Sequence, residues 1–567
     1  MIRRLSFWVF ASLLIFTVRA RAESARDELL RLVPDNVGFC LLLEDLRGHS
    51  AQLLDSPFLR QFEKSPIAGL LKTDADWLKF TVGREKLEAV LGMNLQKLRD
   101  DILGDAVVFA VRPAPEGKPN GDRVLVLLRA RDAQELAKVV TRLNELQKAG
   151  GELTAIEPRE HKGQQYFERI GTKVAPVYAL LGPLLIVASD EALLHEALDR
   201  RAAAVEPALS KRLRELLGPE QRLLSLWINP RAFDAAMAAN AEQGGDEQKA
   251  ALRHVLTYWK AIDGAALGVG LRDDVTLTFA TQVRADRLSP AARRFLAEAA
   301  KPSDLRRRFP DNAILACAGR FDFSAYEEML GEFLTPRTRQ AMHDGLDRFL
   351  GATLDKDVVK EVLPCLGPDF GFCLTAPEKG SKSWLPNAIA ALRVRPGDKP
   401  PAVDRALFHG LTALAQAAVI DHNGKHAQRM SLKTEYQDKV EVKYLIGGVG
   451  LPDGLQPAFA LKDGYLVLAS SPDAVRRFTP TSQAFTGDVP FLRVSIVELR
   501  KYLQTHRAAL VAALAERNKT KPAEIERHLD GLLPALELFD KLEITRRTTA
   551  GQTAVTLRLR TAQPLRK

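Results

Sequence analysis

The sequence predicts an α+β protein: two tandem duplicated domains, each a mainly antiparallel sheet with helices packed on one face. Three observations carry that expectation. Tyr178-Ala-Leu-Leu-Gly-Pro-Leu-Leu-Ile-Val-Ala-Ser189 aligns without a gap with Phe459-Ala-Leu-Lys-Asp-Gly-Tyr-Leu-Val-Leu-Ala-Ser470, an offset of 281. Each reads as an apolar hairpin whose second strand runs into a helix. Next, Pro34-Asp-Asn36 before an apolar run returns as Pro310-Asp-Asn312, an offset of 276. Finally, strands follow strands and helices follow helices, without the βα alternation of a parallel sheet. At 567 residues the chain exceeds one ordinary core. The expected division is a signal peptide at 1–22, an α+β repeat at 23–284, a helical linker at 285–308 and a second α+β repeat at 309–567.

The N-terminus has the layout of an export signal. Arg3-Arg4 supply the positive end, Leu5 to Val18 a short apolar run, and Ala20-Arg21-Ala22 a small-x-small cleavage site. An uncleaved N-terminal membrane anchor is the alternative reading. No second apolar stretch has the length of a membrane span, so no span is expected in the mature chain.

Taking the elements in order, a short helix leads through Pro34-Asp-Asn36 into a strand ending near Leu43, matched by Ala313 to Cys317. Helical segments follow at 45–62 and 84–102, and at 325–350 and 358–363 in the second repeat. Leu103-Gly-Asp starts a strand at Ala106, as Leu366-Gly-Pro does at Asp369. Loops rich in Pro, Gly and Lys lead to Arg123–Arg129 and Ala388–Val394, so each pair forms a hairpin. Apolar residues at Leu136, Val139, Val140, Leu143 and Leu146 mark one buried helix face, repeated by Leu407, Leu411, Leu414 and Ala418. Two extended segments then enter each apolar hairpin. Strands near 223–228 and 491–496 lead to helices. Each repeat closes on a two-stranded unit in which Val275 answers Val555 at an offset of 280.

Composition narrows the function classes. Hydrophobic residues at 46% and charged residues at 27% exclude wholesale disorder. The formal charge is +10, and losing residues 1–22 removes four arginines and no acid, leaving +6. That excess is spread thinly. The densest basic run is Arg306-Arg307-Arg308, and no basic face with interleaved aromatics argues for nucleic acid. Cys40, Cys317, Cys365 and Cys373 each sit among apolar residues and read as small buried hydrophobes. A Cys365–Cys373 bridge is the alternative.

A search for chemistry returns no nucleophile elbow and no phosphate loop. Asp369-Phe370-Gly371 spells a kinase tripeptide inside a strand signal, without the other kinase motifs. His195-Glu196 lacks a second histidine at Asp199 and reads as a solvated helix face. His422 and His426 flank Asn423-Gly424 and read as a solvated turn. Arg253-His254 and Arg527-His528 recur in late helices without an identified partner. Ser189 and Ser470 read as helix caps rather than nucleophiles. No catalytic residue, cofactor or metal is assigned.

The Pro-Asp-Asn strand entry, the Leu-Gly-Asp turn and the Leu-Leu-Ile-Val-Ala-Ser-Asp hairpin together resemble a family of exported bacterial proteins whose domain is catalogued only as of unknown function. The resemblance implies export and duplication and no catalytic residues. The second repeat departs from it at Gly367-Pro368 and Ser470-Ser471-Pro472. The function expected is a non-enzymatic envelope or secreted protein, periplasmic or extracellular, that binds or scaffolds an envelope or extracellular partner. The alternative is a hydrolase or other enzyme of unrecognised type with a site between the repeats.

Overall fold

The computed structural model describes residues 24–562 except 115–120, 173–175, 204–206, 243–244, 273, 378–382, 399, 453, 481–489 and 550. The expected signal peptide, residues 1–22, lies outside them. Two compact units form. One takes the described residues up to Ala51 and Phe80–Ala232; the other takes Gln52–Lys79 and the described residues from Phe233 onward.

In the first unit the strands are β1 Phe39–Glu44, β2 Ala106–Arg112, β3 Arg123–Arg129, β4 Leu153–His161, β5 Gln164–Gly171, β6 Val177–Leu181, β7 Leu184–Ala188 and β8 Leu224–Ile228. They pair antiparallel in the order β8-β1-β2-β3-β7-β6-β5-β4. In the second unit they are β9 Ile262–Leu271, β10 Asp274–Val283, β11 Leu315–Arg320, β12 Leu366–Thr375, β13 Asn387–Val394, β14 Met430–Gln437, β15 Val440–Gly447, β16 Ala458–Lys462, β17 Tyr465–Ala469, β18 Pro490–Ser495, β19 Phe539–Thr549 and β20 Gln552–Thr561. Their order, again antiparallel, is β14-β15-β16-β17-β13-β12-β11-β18-β19-β20-β10-β9. The α+β class holds. From β18 to β14 the order reproduces that from β8 to β4 strand for strand.

The hairpin β9–β10 joins the hairpin β19–β20 through β10 and β20. Leu277 pairs with Leu557, 280 positions on, while Val275 pairs with Leu559 and Phe279 with Val555. Each residue thus faces the counterpart of its mirror neighbour, the pattern of a self-complementary two-fold contact.

Helices cover both faces of the first sheet, where the sequence led to one. The helix α1 Ala25–Leu32 starts on Ser24, whose hydroxyl accepts from Asp27 N. Arg129 Nε donates to Glu28 at 2.8 Å, and Arg112 Nη2 to Glu196 at 2.7 Å. These bonds place α1 and Glu196's helix on the face carrying Val108 and Leu127, which are fully buried. The helix α2 Ala133–Ala149 packs Leu136 and Val139 against Val107, Leu128, Leu180 and Leu185, which alternate to the opposite face. Strands apolar on both faces call for cover on both.

Two helical readings also change. Residues 66–83, left between helices by the sequence, are helical over Pro66–Thr73 and Ala75–Leu91. Ser56-Pro57 starts a new helix with a serine cap and proline in the first turn, so a breaker signal acts as a start. Similarly, Val403–Lys425 is one helix running through Asn423-Gly424. Asn423 serves as a clamp on β14: its Oδ1 accepts from Met430 N at 2.7 Å and its Nδ2 donates to Met430 O at 3.0 Å.

Candidate functional site: an open apolar sheet face

An antiparallel sheet normally buries one face and shows water a polar one. The second unit departs from that rule. On one face a single cross-strand row runs Phe459, Leu468, Ala390, Phe372, Cys317, Leu492, Ile544, Leu557, Leu277 and Val269 across ten strands without a polar residue. A neighbouring row, Ala388, Leu374, Leu315, Val494, Leu542, Leu559, Val275 and Leu271, is apolar across eight. Phe459, at one end of the row, is buried against Phe408; farther along the face is open, with Phe279 49% exposed, Leu468 44%, Leu277 40% and Phe372 38%. Contiguous apolar surface of this kind marks a binding site rather than a solvated flank. Covering one such large side chain contributes about 1.5–3 kcal/mol.

The opposite face is the closed core. There Cys373, Ala391, Val467, Val442 and Ala460 pack under Leu305, Phe309, Val475 and Phe478. Asp369 and Gly371 point the same way, which settles the kinase-like tripeptide as packing. Asp369 is 2% exposed and accepts from Tyr465 Oη at 3.2 Å, with Arg320 Nη1 at 3.7 Å. Burial, followed by the Asp369 charge, pushes the Tyr465 hydroxyl up to about 12.

A groove of about 920 Å³ lies at one end of β11–β13, lined by apolar residues such as Pro310 and Ile389 together with Arg308, Arg477, Lys501 and Tyr502. Its cations are engaged: Arg308 meets Asp463 and Lys501 meets Glu498, both at 2.7 Å, and Arg477 also has a partner.

The residues singled out in the sequence resolve as follows. Ser189 and Ser470 are not the helix caps. Asp190 and Ser471 are, accepting from Leu193 N and Ala474 N. The two serines instead extend the sheet, Ser189 Oγ accepting from Val124 N at 3.1 Å and Ser470 Oγ from Ala388 N at 3.0 Å. All four thiols are unpaired. Burial pushes those of Cys40 and Cys373 up to about 12. Arg253-His254 and Arg527-His528 stand exposed on separate helices. His422 and His426 lie with ring centroids 4.6 Å apart and planes tilted by 34° at the helix end.

His195 is not a solvated flank. On the helix α3 Glu191–Ala202 its ring stacks on His161 of β4, with centroids 3.9 Å apart and planes 10° apart. Asp199 bonds His161 Nε2 at 3.0 Å and Lys162 Nζ at 2.8 Å, while Tyr166 donates to Glu191. Sequence spacing could not reveal this pair, because a strand end and a helix bring it together across 34 positions. No group of three or more His, Cys, Asp or Glu among the described residues is arranged to hold a metal ion.

No family model matches the chain, and no curated protein or solved structure matches it.

Proposed function

We propose that the chain is an exported, non-enzymatic binding protein that holds an apolar ligand on the open face of its second-unit sheet. The apolar row carries this reading, because its exposed members Leu468, Phe372 and Leu277, with Phe279 beside them, form apolar surface of the kind that marks an interaction site. Export rests on Arg3-Arg4, the run to Val18 and Ala20-Arg21-Ala22. Tandem duplication belongs to the same reading; the shared strand order and the offset of 280 across β10 and β20 support it.

Titrating the chain with Nile red, an uncharged apolar fluorophore, tests the binding. Saturable enhancement is expected, reduced about tenfold or more in affinity when Phe372→Ser and Leu468→Ser are combined, since two buried large side chains are worth several kcal/mol. Circular dichroism checks that the variant is folded. A native chain that leaves the dye dark contradicts the reading. For export, N-terminal sequencing of envelope-fraction protein should begin after Ala22, and intact residues 1–22 on a cytoplasmic chain would oppose it.

A further inference from the structure

Along β19 the open face turns from apolar to polar at Arg546. Arg546 follows Ile544 on the same face of β19 and pairs with Val555, which pairs with Phe279. Its Nε is shielded from water and has no acceptor. Thr548 stands next on that face, and its Oγ1 is also shielded and without a partner. Burial holds the Arg546 guanidinium below its ordinary pKa. A cation withdrawn from water beside apolar side chains is costly until an anion meets it. A guanidinium is also the side chain best matched to a carboxylate.

We propose that Arg546 and Thr548 receive the carboxylate of one fatty acid, whose alkyl chain lies along Ile544, Leu557, Leu277 and Val269. This rests on the open face being a ligand site and names what occupies it. The four strands β19, β20, β10 and β9 span about 14 Å at the usual strand spacing, the reach of a medium alkyl chain. The charge pattern selects this occupant. Among the described residues of these four strands Arg546 is the one cation on this face, which suits one monoanion, whereas an anionic membrane surface is met by clusters of lysine and arginine. A second copy docking face to face would bring two like-charged arginines together.

Calorimetry of the full chain with dodecanoate and with dodecanol tests the assignment. Dodecanoate is expected to bind about tenfold or more tightly than the alcohol, the worth of one charge-assisted hydrogen bond. Arg546→Leu should bring dodecanoate to the affinity of dodecanol for the same variant, and Arg546→Lys should keep part of the preference. Equal affinity for acid and alcohol overturns the proposal even where Nile red binds. So does a chain that sediments with phosphatidylglycerol vesicles yet ignores monomeric dodecanoate, or one that dimerises by ultracentrifugation and binds neither.

Discussion

At Gly371 a single hydrogen atom decides the packing of β12. A Cβ built there would stand 2.7 Å from Cys317 O, 2.8 Å from Phe309 Cε2 and 2.9 Å from Leu305 Cδ1. Gly371→Ala should therefore lower stability by about 1–3 kcal/mol in urea unfolding, the ordinary cost of overpacking; an unchanged midpoint would refute the close approach. The stacked histidines give a pH dependence of known sign. Burial, then the adjacent His161, lower the His195 pKa from its ordinary 6.5, with Glu191 and Asp199 opposing and Lys162 reinforcing. The unfolded imidazole takes its proton first. Stability at this residue should hold above about pH 6.5, fall as pH drops through it, and level off below the depressed folded value. His195→Gln should flatten that slope relative to the native chain, and identical slopes would exclude the effect.

At the scale of elements, corresponding strands solve the same problem with different chemistry. Ala106 and Leu184 occupy the places in the first sheet that Asp369 and Tyr465 occupy in the second, each beside an arginine, Arg129 or Arg393. Removing one member of the polar pair leaves the other unsatisfied in the core, which costs about 1–3 kcal/mol. Asp369→Ala should accordingly destabilise, and adding Tyr465→Leu should cost less than the two single changes summed, by at least about 0.5 kcal/mol. Strict additivity would deny the coupling.

Hairpins of this kind were legible in sequence because Gly182-Pro183 and Asp463-Gly464 set tight turns between apolar runs. The open face was not legible. A run such as Phe370-Gly-Phe-Cys-Leu374 is equally suited to burial on both sides, and only the fold shows which side lacks a cover. The histidine stack was hidden for a related reason, since periodicity reports one element at a time. Ser56-Pro57 and Asn423-Gly424 misled because tertiary contacts and caps reassign residues that propensity treats as breaks.

For the whole molecule, the first sheet and the second share an order of eight strands, and the second gains four more from the terminal hairpins β9–β10 and β19–β20. That join sets the extent of the apolar row. A slip of one residue between β10 and β20 would turn Leu277 and Phe279 to the other face and break the row at its centre. Thr278 and Thr556 lie directly opposite, their hydroxyls 3.2 Å apart, on the face away from the row. Oxidative cross-linking of Thr278→Cys with Thr556→Cys in the full chain, followed by electrophoresis without reductant, reads the register directly. The pairing described here predicts efficient closure for that pair and none for Thr278→Cys with Val555→Cys, whereas closure of the second pair in place of the first would contradict both the join and the continuous apolar face.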